Sequence, residues 1–134
     1  MKRMIVVLSV ISILLILGTG VAAADDQAAP RSTPELAKMI GSGKPTVVFF
    51  LNPNGGPCKA QNEILVKLKL DKKSAFHVVY VSALMPENQQ AFYDYGVRSL
   101  PSLVLVNKGG NISRVFPPGI QDYETLATAI AGMK

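Results

Sequence analysis

The sequence predicts an α/β domain of three layers, with a mixed sheet of at least four strands flanked by helices. Three observations predict it. The runs "TVVFFL" (46–51), "FHVVYV" (76–81) and "SLVLV" (102–106) are short, β-branched or aromatic, and apolar almost throughout. Strands of this kind are covered on both faces. Stretches of helical period separate them, and that spacing favours parallel pairing through right-handed crossovers. The turn "NKGGN" (107–111) then leads into "ISRVF" (112–116), which predicts an antiparallel hairpin partner for the third strand.

Residues 1–24 stand apart from this domain. Lys2 and Arg3, an apolar stretch from Ile5 to Leu17 and then Ala22-Ala23-Ala24 have the three regions of an export signal, cut after Ala24. The mature protein is then expected in the periplasm or outside the cell. An uncleaved membrane anchor is the alternative, since Ile5 to Ala24 is about the length that crosses a bilayer. Residues 25–32, "DDQAAPRS", read as a flexible, solvated leader, and residues 33–134 as one domain that can bury a core without metals or staples.

The helices follow from their end signals. Thr33 is an N-cap before Pro34 and Glu35, with Leu36, Met39 and Ile40 on one face and Gly41-Ser42-Gly43 as the stop. A second helix runs from about Pro57 to Leu70, and a third from about Glu87 to Tyr95, closed by Gly96. A last one, from about Ile120 to Met133, lines up Ile120, Tyr123, Ala127, Ile130 and Ala131.

Charge excludes some functions. The chain has 14 Lys and Arg, two of them within residues 1–24, against 9 Asp and Glu, and they are dispersed. No basic cluster of the kind that binds nucleic acid is present. One histidine, His77, lies in an apolar strand with no ligand at metal spacing, so no metal or other cofactor is expected. Phe92, Tyr93 and Tyr95 read as helix-packing residues, and the loop acids Asp25, Asp26, Glu87 and Asp94 form no acid-base pair.

The stretch Asn52 to Lys59, "NPNGGPCK", opens the second helix, and "YGVRSLPSLVLV" (95–106) follows about forty residues later. On these motifs, over roughly Thr33 to Met133, the chain resembles the thioredoxin family. In that family the junction reads Cys-Gly-Pro-Cys-Lys, and a cis-proline precedes the third strand beside the active site. Gly56, Pro57, Cys58 and Lys59 match the junction, and Pro101 matches the cis-proline. Gly55 stands where the attacking cysteine belongs, Asn54 where a tryptophan is usual, and Phe49 where a buried acid serves proton transfer. The resemblance implies a thioredoxin-like fold, while the three changes argue against ordinary dithiol catalysis.

Cys58 is the one cysteine in the chain. Disulfide exchange needs a thiolate to attack and a second thiol to resolve the mixed disulfide, and here the second must come from outside. Amides at a helix start favour the thiolate, and Lys59 adds a nearby cation. Burial opposes it. At about 100° per residue, Ala60, Ile64, Leu65 and Leu68 form the buried stripe and Lys59, Glu63 and Lys67 the wet side, which leaves Cys58 on the boundary. Gly55-Gly56 between Pro53 and Pro57 also suits a plain tight turn, and the spacing of a nucleotide-binding loop is absent.

The expected function is thiol-disulfide chemistry through Cys58 alone. Asn54, Gly55, Gly56 and Pro57, with Ser99, Leu100 and Pro101, form the surface expected to receive a partner; with Pro101 cis, as the resemblance implies, the backbone of Ser99 and Leu100 can pair with an extended peptide. The partners are protein or small-molecule thiols and disulfides, with a disulfide-linked homodimer as a further outcome. The alternative is a redox-inactive module that holds peptides in the same groove.

Overall fold

A computed structural model of the chain describes residues 27–133. The export signal or anchor lies outside the described residues, and among those residues no helix is long and apolar enough to cross a membrane. Four strands, β1 (Thr46–Leu51), β2 (His77–Ser82), β3 (Ser102–Val106) and β4 (Ile112–Val115), form one sheet in the order β2-β1-β3-β4. The helices are α1 (Pro34–Met39), α2 (Gly56–Asp71), α3 (Gln89–Asp94, entered by a 3-10 turn at Pro86–Asn88) and α4 (Tyr123–Ala131).

Strand alternation sorts the core into two layers of side chains. Val47, Phe49, Leu103 and Leu105 pack with Leu65 and Leu68 of α2 and Leu126, Ala127 and Ile130 of α4. Val48, Phe50, Val104 and Val106 pack on the other face with Leu36, Ile40 and Ala91. The three-layer mixed α/β architecture is the one the sequence predicts, and the two central strands β1 and β3 are buried on both faces.

One pairing differs from the expectation. β1 and β2 are parallel, with Thr46 beside His77, but β3 is antiparallel to β1, with Thr46 beside Val106. Helix length explains the difference. The 16 residues of α2 span about 24 Å, enough to return the chain along a six-residue strand, whereas the six of α3 span about 9 Å. The chain therefore enters β3 from the end at which it left β2.

Three local readings are also corrected. Residues 27–32 do not stand off as a leader: Ala28 bridges Asn111, Ala29 is buried, and the Tyr95 hydroxyl donates to the Pro30 carbonyl at 2.7 Å. The last helix starts at Tyr123 because the Asp122 side chain caps it, accepting from the Thr125 amide at 2.7 Å. Ile120 is left half exposed outside the helix and Ala131 is exposed, while Leu126 takes the buried place. The Thr33 cap of α1 stands as expected, its hydroxyl accepting from the Leu36 amide at 3.2 Å.

Candidate functional site

The carboxyl end of β1 delivers the chain into the turn that opens α2. The Asn52 side chain accepts the Asn54 amide at 3.0 Å, and the Asn52 carbonyl accepts the Gly55 amide at 2.9 Å. This turn aims Gly55 at the N-cap position of α2, which has no capping side chain, with Pro57 in the first turn. Cys58 then points back toward the strand, and the Asn52 amide donates to its Sγ at 3.4 Å.

The thiol is more covered than the helical periodicity predicts. Cys58 is 3% exposed and packs with Phe49, Leu65 and Leu103. The buried face of α2 is Cys58, Gln61, Leu65 and Leu68, not Ala60, Ile64, Leu65 and Leu68. Gln61 decides this rotation. Its amide nitrogen donates to the Gln121 carbonyl at 3.2 Å and its oxygen accepts the Gln121 amide at 2.6 Å, so a fully buried polar side chain is satisfied by one backbone unit.

Two features lie beside the buried sulfur. A Cβ built on Gly55 would fall 3.6 Å from Sγ and 3.8 Å from the Cys58 Cβ, so glycine leaves that side of the sulfur without a side chain. An open hollow of about 430 Å³ is lined by Leu51, Pro53, Cys58, Lys59, Asn62, Glu63 and Tyr80. Of these, Asn62 lies four residues beyond Cys58 on one face of α2, a spacing that the sequence offers. The Tyr80 hydroxyl donates to the Asn62 side chain at 2.8 Å, and burial pushes the tyrosine's pKa up. Tyr80 comes from β2, and no local signal in the sequence ties it to Cys58.

The other expected residues divide. Asn54, Gly56 and Pro57 are exposed on the turn, Ser99 is exposed, Leu100 is half-buried and Pro101 is buried. The Leu100–Pro101 peptide bond is cis. Because Phe50 is paired with Ser102, continuing the antiparallel register sets Pro101 beside Leu51, at the same end of the sheet as Cys58. The hollow beside the sulfur, however, opens on the β2 side and takes no residue from 99–101. Phe49 is fully buried, its ring centroid 5.7 Å from that of Tyr80. Among the described residues no three His, Cys, Asp or Glu side chains are grouped to hold a metal.

The family model described as Thioredoxin matches residues 29–131. The chain belongs to the thioredoxin family. Its relatives include a thioredoxin of Chlamydia pneumoniae, 31% identical over 99 residues that cover 74% of this chain and 91% of that one. A thioredoxin of Pyropia yezoensis is 26% identical over 93 residues, 69% of this chain and 83% of its own. Among solved structures, mitochondrial thioredoxin 3 of Saccharomyces cerevisiae in its oxidised form superposes with a TM-score of 0.62 at 22% identity, covering 74% of this chain and 88% of that one. This thioredoxin-family domain carries Cys58, the one cysteine of its sequence, directly after Gly55-Gly56-Pro57.

Proposed function

We propose that the protein is an exported thioredoxin-family domain that exchanges disulfides through Cys58 alone. The observation that supports the reading is the glycine beside the sulfur: a Cβ at Gly55 would stand 3.6 Å from Sγ, and the chain places no side chain there. The Cys58 thiolate attacks one sulfur of a partner disulfide, the Cys58–partner bond forms, and the partner's other sulfur leaves as a thiolate. An external thiolate then attacks the mixed disulfide, restores Cys58 as thiolate and takes the partner sulfur into a new disulfide, so the external thiol supplies the electron pair. The signal-like residues 1–24 support export into a compartment where such disulfides persist.

The test is incubation of the folded protein with a small symmetric disulfide, followed by intact mass measurement. One adduct per chain, absent in Cys58→Ser and removed by added thiol, is the expected result. A protein that takes up no adduct until it is denatured overturns the reading. The same non-reducing samples report a Cys58-linked homodimer as a species of twice the mass.

One observation favours a second reading. Cys58 is buried within the core and its Sγ accepts the Asn52 amide, as a sulfur kept for packing does. On that reading the domain is redox-inactive and holds extended peptides at Asn54 to Pro57 and Ser99 to Pro101. Binding of such a peptide would then be unchanged in Cys58→Ser, and its loss would count against this reading.

A further inference from the structure

The two edges of the sheet are finished differently. With the strands in the order β2-β1-β3-β4, the outer sides of β2 and β4 are the edges, and among the described residues only β1 pairs with β2. An edge is blunted against further pairing by shortness, charge, proline or a bulge. β4 has all four devices: it is four residues long, carries Arg114, lies against a register shift at Leu105 and Val106, and runs into Pro117-Pro118. β2 has none of them. His77–Ser82 holds six residues without a lysine, acid or proline, and its register with β1 is unbroken.

The backbone groups on the outer side of β2 follow from its pairing. The His77 amide donates to the Pro45 carbonyl at 2.8 Å and the Ala83 amide to the Leu51 carbonyl at 2.8 Å, both toward β1. By alternation the amides and carbonyls of Val78 and Tyr80, and the amide of Ser82, turn outward, while the Ser82 carbonyl accepts the Asn88 side chain at 3.1 Å. A second, independent observation is apolar. Of the eight large apolar side chains left exposed among the described residues, Tyr80, Leu84 and Met85 lie on β2 or just past it, and Val66 and Leu70 lie on α2. Val66 belongs to the face of α2 that looks over β2: Asn62, one turn before it, bonds the Tyr80 hydroxyl, and the charge of Lys69, one turn after it, bears on His77. The unblunted edge and an exposed apolar patch therefore coincide, as they do where a partner binds.

We propose that two copies of this chain pair their β2 strands antiparallel about a two-fold axis, joining two four-stranded sheets into one and covering Val66 and Tyr80 of each copy beside the seam. Self-complementarity identifies the occupant as a second copy. A two-fold sets β2 against its own sequence in reverse, and a strand without charge brings no like pair together. The two ends of β2 differ in sign: Lys44 and Lys69 stand at its start, beside His77, and Glu87 follows its end. Antiparallel pairing thus brings the acidic end of each copy toward the basic start of the other. The seam uses backbone and apolar groups, so the proposal does not depend on whether Cys58 is redox-active. Tyr80 also lines the hollow beside Cys58, and the copy seated on β2 borders that hollow.

The experiment is hydrogen–deuterium exchange of the full chain in reducing buffer, read over a dilution series and paired with the sedimentation mass. Reduction removes any dimer linked through Cys58. At high concentration the mass should be that of two chains, and the amides of Val78, Tyr80 and Ser82 should exchange several-fold more slowly than after dilution, while those of β4 keep one rate. Tyr80→Lys and Tyr80→Glu, checked as folded by circular dichroism, should each sediment as monomers, because like charges then meet at the seam, and a mixture of the two should recover the dimer. If either variant fails to fold, the parental dilution series decides alone. A monomer at every concentration, whether or not an added extended peptide protects β2, overturns the proposal. So does protection of β2 that is independent of concentration, as an intramolecular cover would give. A dimer whose β2 amides exchange as fast as the monomer's, or one that both folded variants retain, overturns it as well.

Discussion

The Cβ that Gly55 lacks would stand 3.8 Å from the Cβ of Cys58, the mean separation of two half-cystines. A cysteine at position 55 would therefore stand at disulfide distance from Cys58. The backbone at Gly55, φ −79° and ψ 131°, is open to any L residue. Replacement by cysteine has to displace the Asn52 carbonyl by a few tenths of an ångström from its 3.3 Å contact, a small adjustment for a turn residue. Gly55→Cys should close a disulfide with Cys58 under air. Thiol titration should find no free thiol before reduction and two after it, and the short loop should add up to about 2 kcal/mol to stability. A variant that keeps both thiols free in air would show that the turn has drifted from the dithiol geometry.

Phe49 sets how far that repair can go. Its ring fills the space between β1, α2 and Tyr80, fully buried, in the place of the family's proton-transferring acid. Phe49→Ala should cost about 3–5 kcal/mol through the cavity it leaves. Phe49→Asp should cost more, since the carboxylate would enter an apolar site with no partner. Chemical denaturation of both variants checks the order. The consequence for function is that Gly55→Cys, Phe49→Asp cannot be read as restored catalysis unless the double variant is first shown to fold.

Much of this architecture is legible in the sequence, and the exceptions share a cause. The strand runs at 46–51 and 102–106, the Thr33 cap and the Asn107–Asn111 turn are local features, written in neighbouring residues. The direction of β3 is set by the length of α3 against that of α2. The face that α2 buries is set by Gln61, whose partner lies sixty residues away at Gln121. A glutamine in a helix reads as a surface residue, because its burial is permitted only by a backbone unit that the sequence does not reveal. That rotation of α2 covers Cys58 and brings Asn62 and Tyr80 to its side, so the thiol and its hollow were named in part and their exposure was not.

Gln61 is therefore a test of how the site is held. Gln61→Ala removes both bonds and strands the amide and carbonyl of Gln121, at a cost of about 1–3 kcal/mol. Gln61→Leu keeps the volume and should still destabilise, because the same two backbone groups lose their partner. Both should also loosen the seat of Cys58 one turn earlier on α2, seen as faster alkylation of the folded protein than in the parent. If Gln61→Leu matches the parent in denaturant and in alkylation rate, the pairing with Gln121 contributes nothing to either.

His77 offers a test with a defined sign. Burial lowers its pKa from 6.5, and the charges of Lys44 and Lys69 lower it further. The folded chain thus gives up the proton more readily than the unfolded one. As pH falls through the unfolded value near 6.5, the unfolded chain binds the proton first and stability declines, levelling off below the folded value; above that window the contribution is complete. The melting temperature should accordingly drop between about pH 7.5 and pH 5, and His77→Gln should flatten that part of the profile. Added salt should weaken the effect only in part, because it screens the two lysines and leaves burial, the larger cause, in place. Lys44→Gln should do what salt does, removing one lysine's share while the rest of the slope persists. A profile in His77→Gln that keeps the full parental slope would assign the titration to another group.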